Sequence, residues 1–406
     1  MRPRILFVSE TVSLSQITRL SVLAKSLDPQ RYDVHFAATA FPAVVDLPFV
    51  RWPIWGIDAK TAQARVAKGQ RLFTRRMLRQ AIAADAAVIE QVRPDVIVGD
   101  LRWSLAVSAP RAGVPLVTLM NAYWSPHARR SGFPLPDHPM VRWLGEKMAA
   151  EYFPKALPWV FRYFAAPLNR ERQAAGLPPI GDLLEVLGYG DHVLFADPPE
   201  LVSLVNQPAN HHFLGYLPWS APGGIPAAFG RGEKPAIYVT LGSSGDARCV
   251  AAVLAGLADL PVDVLLASAG RDVPGSLPAN VVAMDYVDGD AACARANLVI
   301  HNGGSSTGYQ ALAAGTPVLG LPSNLDQHLA SERISATGAG LHLRAGGLKS
   351  ALVRSAVSRL LHEPSFAESA WSLRSVFHRT DALANFRNFM DRVCSATPAA
   401  RWLRSA

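Results

Sequence analysis

The sequence predicts an α/β protein built from two doubly wound parallel-sheet units in series. Three observations carry that reading. Short continuous runs of Val, Ile and Leu alternate with helical stretches in both halves of the chain, as parallel strands covered on both faces require. A stretch rich in Pro and Gly, 206–235, has no periodicity and divides the halves. Finally, 406 residues exceed what one hydrophobic core normally serves.

The elements follow in order. ILFVS (5–9) reads as the first strand, a helix follows around 16–27, and DVHFAA (33–38) is the next strand. DVIVGD (95–100) and PLVTLMN (115–121) are the other strands legible in the first half. The stretch 142–168 mixes aromatics with Arg and Lys. It reads either as a helix roofing an acceptor pocket or as an interfacial element touching lipid. The second half offers AIYVTLG (236–242), VDVLLAS (262–268), NVVAMDY (280–286), NLVIHNG (297–303) and PVLGLP (317–322). A last helical stretch, 366–396, spaces Trp371, Phe377, Phe386 and Phe389 like one helix face. The expected domains are 1–215 and 236–385, with a linker over 216–235 and a final helix over 386–406.

Composition narrows the function classes. Half the residues are hydrophobic and 18% are charged, a folded rather than a disordered balance. No apolar run approaches the roughly 20 residues that span a bilayer. The run ILFV is too short for a signal peptide, so the cytoplasm is the expected compartment. Cys249, Cys293 and Cys394 lie far apart and form neither a metal pattern nor a disulfide framework. The net charge of +8 favours anionic partners. Its densest cluster, RLFTRRMLR (71–79), reads as a solvated helix face. No nucleic-acid signature accompanies it, and none is expected as a partner.

The most informative stretch is VIHNGGSSTGYQALAAGTPVLGLPSNLDQ (299–327). A strand ends at His301, Gly303 and Gly304 form a turn, and Ser305, Ser306 and Thr307 open a helix. A helix N-terminus offers unpaired N–H groups and partial positive charge. Glycine lets the backbone approach a ligand closely. Together they bind a diphosphate without a cation. Asp326 and Gln327 follow the next strand and suit the hydroxyls of a sugar. The loop TLGSSGD (240–246) repeats the chemistry with Ser243 and Ser244, as a second phosphate contact or as a helix cap. No P-loop or dinucleotide fingerprint occurs. Asp288 and Asp290 just precede a helix and read as caps, so no metal is expected.

That stretch resembles the family 1 glycosyltransferases, the UDP-glycosyltransferase-like enzymes of the GT-B fold that include macrolide and other natural-product transferases. FLGYLPW (213–219), YVTLGSSG (238–245) and the region 95–124 resemble the same family more weakly. The resemblance implies two Rossmann-like domains facing a cleft, with the last helix crossing back to the first. It implies His301 against the diphosphate and Gly304 to Thr307 donating to its oxygens. Gln310, where the family often has Glu, would hold the ribose, and Asp326 and Gln327 the donor sugar. Tyr286 and Val287 fall where the family packs the nucleobase.

The resemblance also exposes a departure. A His after the first strand is the family's base, with a downstream Asp orienting it. That position falls on Gln16, and no His occurs between 1 and 34. A carboxamide cannot take a proton. Asp100 matches the orienting Asp. Three replacements stay open: Asp100 itself with a pKa raised by burial, His127, or an acceptor acidic enough to need no base. Trp103, Met120, Asn121, Tyr123, Trp124 and Phe133 mark an apolar acceptor site.

The expected function is inverting, metal-independent transfer of a hexose from a UDP- or dTDP-linked donor to a small apolar, aromatic or lipid-like acceptor. Peripheral membrane contact goes with the lipid-like case. The competing readings are a catalytically impaired relative that only binds nucleotide sugar or ligand, and an epimerase on the same fold.

Overall fold

The computed structural model describes residues 2–396, except 138–140, 142, 144, 243, 247 and 274. The first unit has the strands β1 (Arg4–Ser9), β2 (Asp33–Ala38), β3 (Val50–Pro53), β4 (Val96–Asp100), β5 (Leu116–Met120), β6 (His192–Phe195) and β7 (His211–Phe213). They form one parallel sheet in the order β3-β2-β1-β4-β5-β6-β7. The central strands are mostly apolar, Ile5–Val8 in β1 and Val96–Val98 in β4, because helices cover both faces. Leu6, Val8 and Ile97 pack with Val88 and Ile89 of the helix Arg75–Val92.

The order reverses direction at β1, whose neighbours are β2 and β4. Ser9 therefore lies beside both Ala38 and Asp100. Ligands of open parallel sheets bind outside the carboxyl ends of the strands at such a reversal. The first unit includes the helix Ala382–Ala396, where Phe386 packs on Phe7 and Asp391 pairs with Arg31 at 2.8 Å.

The second unit has β8 (Ala236–Thr240), β9 (Asp263–Ala267), β10 (Val281–Met284), β11 (Leu298–His301), β12 (Val318–Gly320) and β13 (Gly340–His342). All neighbours are parallel, in the order β10-β9-β8-β11-β12-β13. Here the reversal falls at β8, and His301 sits beside Thr240. The buried residues of β8 and β11 pack against Val353 and Val357 of the helix Ser350–His362.

Several sequence expectations shift. The first unit comprises Met1–Arg130, Glu151–Leu217 and Thr380–Ala406, and the second Ser131–Ala150 and Pro218–Arg379. The stretch expected as a linker therefore belongs mostly to the second unit, and so does the unforeseen excursion at 131–150. The helix expected over 142–168 runs from Glu146 to Ala174. The final stretch is two helices, Pro364–Arg379 and Ala382–Ala396. Asp381 divides them, because its carboxylate accepts from the N–H groups of Leu383 (3.0 Å) and Ala384 (2.9 Å). No helix among the described residues is long and apolar enough to cross a membrane.

Candidate functional site

In the second unit, the chain turns from β11 into the helix Ser305–Ala314. Gly303 takes φ +82°, and a Cβ there would lie 2.6 Å from Ser331 Oγ. Only glycine fits that turn without a shift. The Asn302 Oδ1 accepts from the Gly304 N–H at 3.1 Å, and its Nδ2 donates to Ser244 Oγ at 3.1 Å. This bond joins the two Gly/Ser loops. Gly304 is the N-cap and supplies no capping side chain. In the first turn, where a helix carries partial positive charge, Ser306 is exposed and Thr307 half-buried. Ser305 is buried. Ser243 lies outside the described residues.

His301 supports the turn from beneath. The ring is fully buried, and its Nδ1 accepts from the Gly303 N–H at 3.2 Å. That bond places the ring proton on Nε2, which has no hydrogen-bond partner. A Cβ on Gly308 would lie 3.1 Å from His301 Cε1, so the helix makes room for the ring. Burial pulls the imidazole down to about 4, which keeps it neutral.

The neighbouring side chains divide. Gln327 is buried, and its Oε1 accepts from Ser323 N and Oγ, each at 2.9 Å. Its amide holds the loop, which departs from the expected sugar contact, whereas Asp326 is exposed. Gln310 Nε2 donates to Asp290 Oδ1 at 2.8 Å and to the Trp219 carbonyl at 3.2 Å. A glutamate here would face Asp290 as a like charge, which accounts physically for the carboxamide. Asp288 accepts from the Ala291 N–H at 3.1 Å and from Ser220 Oγ at 2.9 Å, a helix cap as expected. Tyr286 is exposed on the loop after β10, while the side chain of Val287 is buried.

The first unit places a different chemistry at its reversal. Asp100 ends β4, and both carboxylate oxygens accept from Arg19: Nε to Oδ2 and Nη2 to Oδ1, each at 3.0 Å. Arg19 Nη1 donates to Asn121 Oδ1 at 2.6 Å, and Asn121 Nδ2 to Asp197 Oδ1 at 3.0 Å. Asp197 also accepts from the Ala122 N–H at 2.6 Å. Although burial opposes its charge, Asp100 leads the contacts that hold the Arg19 guanidinium firmly protonated. A carboxylate clamped this way anchors a cation, the setting in which any base role of Asp100 has to be read. Gln16 Oε1 accepts from Ser13 N at 2.6 Å and Ser13 Oγ at 2.9 Å. It closes a capping box for the helix Leu14–Ser26.

His127 does not join this network. Its ring stands 5.6 Å from His211 on β7. That strand is three places from β4, roughly 14 Å at the usual strand spacing. Trp103, Met120 and Tyr123 are buried, with Trp103 edge-on to Phe73 at 5.1 Å. They serve the core rather than an open acceptor wall. Asn121 is committed to Arg19 and Asp197. Trp124 is half-buried, and Phe133 belongs to the second unit.

A second buried network was not anticipated. Arg102 Nη1 donates to Glu10 Oε2 at 2.7 Å, and Nη2 to Asp85 Oδ1 at 2.8 Å. Glu10 follows β1 directly, and its Oε1 accepts from the Ile57 N–H at 2.9 Å. Burial raises its pKa against the pull of Arg102. In sequence, Glu10 directly follows β1 and Arg102 lies two residues past β4.

A family model described as the C-terminal domain of erythromycin biosynthesis protein CIII-like proteins matches residues 251–380. A PGL/p-HBAD biosynthesis glycosyltransferase of Mycobacterium tuberculosis is 44% identical over 382 residues, 93% of this chain and 89% of that protein. A PGL/p-HBAD biosynthesis rhamnosyltransferase of Mycobacterium bovis is 42% identical over 384 residues, 93% of this chain and 85% of that protein. The solved structure of the glycosyltransferase VinC in complex with DTDP has a TM-score of 0.69 at 21% identity, covering 97% of this chain and 99% of that one.

Proposed function

This chain belongs to the family 1 glycosyltransferases of the GT-B fold, and from that premise we propose inverting transfer of a hexose from a UDP- or dTDP-linked donor to an apolar, aromatic or lipid-like acceptor, without a metal ion. It is an enzyme that takes sugar from a nucleotide-sugar donor. The observation that carries the finer reading is the turn from His301 to Ser305. The first-turn amides and the dipole of the helix Ser305–Ala314 suit the charge that builds on a departing diphosphate. Asp326 is the exposed carboxylate beside it for the sugar hydroxyls. The relatives named for PGL/p-HBAD biosynthesis support a pathway of that kind. A lipid-like acceptor would make a membrane surface a peripheral partner.

With Gln16 spent on a helix cap and Asp100 on Arg19, the acceptor supplies its own acidity, as a phenol does. Arg19 then positions Asp100, Asn121 and Asp197 as a fixed wall. The same observation favours one competitor, a relative that binds nucleotide sugar without turning it over. Mass spectrometry of UDP- and dTDP-hexoses with a phenol series separates them. Glycosylated phenol, formed faster as the pH approaches the phenol's own pKa, is expected. A thermal shift with either nucleotide but no product at any pH would overturn the transferase reading.

A further inference from the structure

The helix Glu146–Ala174 buries one stripe, Leu157, Phe161, Ala165 and Leu168, against the first unit's core. The opposite stripe carries large aromatics into solvent: Tyr152 is 49% exposed, Trp159 73% and Tyr163 50%. These three span about 16 Å of helix at 1.5 Å per residue. Side chains of this size are normally covered. Each also has a cation on its ring. Lys155 Nζ lies 5.1 Å from the Tyr152 centroid, Arg162 Cζ 5.9 Å from Trp159, and Arg71 Cζ 3.7 Å from Tyr163. Arg71 Nε donates to the Tyr163 carbonyl at 2.8 Å, which ties the basic stretch to this face.

The charge around the stripe is one-sided. Residues 60–79 carry seven Lys and Arg and no carboxylate. Arg75 and Arg79 pair with Glu171, and Lys155 with Glu151 at 3.5 Å, while Lys60, Lys68 and Arg76 are exposed. Aromatic rings at headgroup depth, ringed by cations that reach lipid phosphates, are the composition of an interfacial element. The same excess charge repels a second copy presenting the same face. We propose that this face, Tyr152 to Tyr163 with the basic stretch 60–79, docks the protein on an anionic lipid bilayer. The proposal goes beyond sugar transfer and stands without it.

The test uses the full chain and vesicles of phosphatidylcholine, with or without phosphatidylglycerol, at low and high salt. The protein should sediment with the anionic vesicles, and salt should release it. Two surface variants probe the two halves of the chemistry. Lys155→Glu with Arg162→Glu and Arg76→Glu should weaken binding at least tenfold, at about 1 kcal/mol per cation near the surface. Tyr152→Ala with Trp159→Ala should weaken it several-fold. Both should keep the wild-type melting temperature and its shift with UDP or dTDP. Equal binding to neutral vesicles, no binding at low salt, or unchanged binding by both variants overturns the proposal. So does a light-scattering dimer that the aromatic variant dissolves, because the face would then belong to a second copy.

Discussion

The two parallel-sheet units share a topology but fill its reversal point with opposite chemistry. In the second, the carboxyl ends of β8 and β11 present backbone, amide and hydroxyl groups over a neutral, buried His301. In the first, the ends of β1 and β4 hold buried charges, Glu10, Arg102, Asp85, Arg19, Asp100 and Asp197, already matched to one another. An anion suits the turn from Asn302 to Thr307 because its own side chains carry no charge. The charged networks hold their loops still and offer a ligand shape more than free charge. Similar folds thus separate function from position.

Breaking the charged side should cost most. Arg102→Met strands Glu10 and Asp85 in the interior. A loss of about 3–5 kcal/mol in denaturant unfolding is expected, as for breaking other buried ion networks. A loss under about 1 kcal/mol would mean that water or rearrangement relieves those carboxylates.

The uncharged side breaks through geometry. Gly303→Ala puts a methyl 2.6 Å from Ser331 Oγ on a left-handed backbone. Affinity for UDP or dTDP, measured by calorimetry, should fall roughly a hundredfold, about 2.7 kcal/mol. Unchanged affinity would move the nucleotide away from this turn.

Acid should weaken both units through one histidine each. Burial takes His301 to about 4 from the usual 6.5, and burial with His127 and His212 nearby does the same to His211. Protonation therefore favours the unfolded chain. The stability held by neutral imidazole is complete above the unfolded value and is lost as pH falls from 6.5 towards 4. For fully buried His301 that is about 2 kcal/mol at pH 5. His301→Gln should flatten the pH dependence of the second unit's transition and leave that of the first.

Much of the cradle was legible because it is local: His301 to Thr307 follow one another, and Gly303 must be glycine for a turn of that shape. The strand DVHFAA appears with the bounds its apolar run indicated. The charged networks were not legible, because Arg19 meets Asp100 from 81 residues away and Arg102 meets Glu10 from 92. β3, β6, β7 and β13 escaped because they are three or four residues long and include Arg51, His192, His211 or His342, which leave too short an apolar run. Trp103 and Tyr123 looked like a binding wall because sequence shows that a residue is aromatic but not which way it faces.

The smallest test concerns Gln310. Gln310→Glu should weaken donor binding roughly threefold to tenfold by setting a second carboxylate against Asp290, at a partly exposed site where charge is screened. Adding Asp290→Asn should recover the loss, and failure to recover it would remove Asp290 from the donor site's surroundings.

The first unit is assembled from three separate lengths of chain, the last beginning at Thr380. During translation Phe7 is made long before the ring that covers it, Phe386. The second unit is fully synthesised before that happens and is free to fold first. A nascent or truncated chain ending before Ala382 would leave that part of the core uncovered, a target for chaperones and proteases until the helix Ala382–Ala396 arrives.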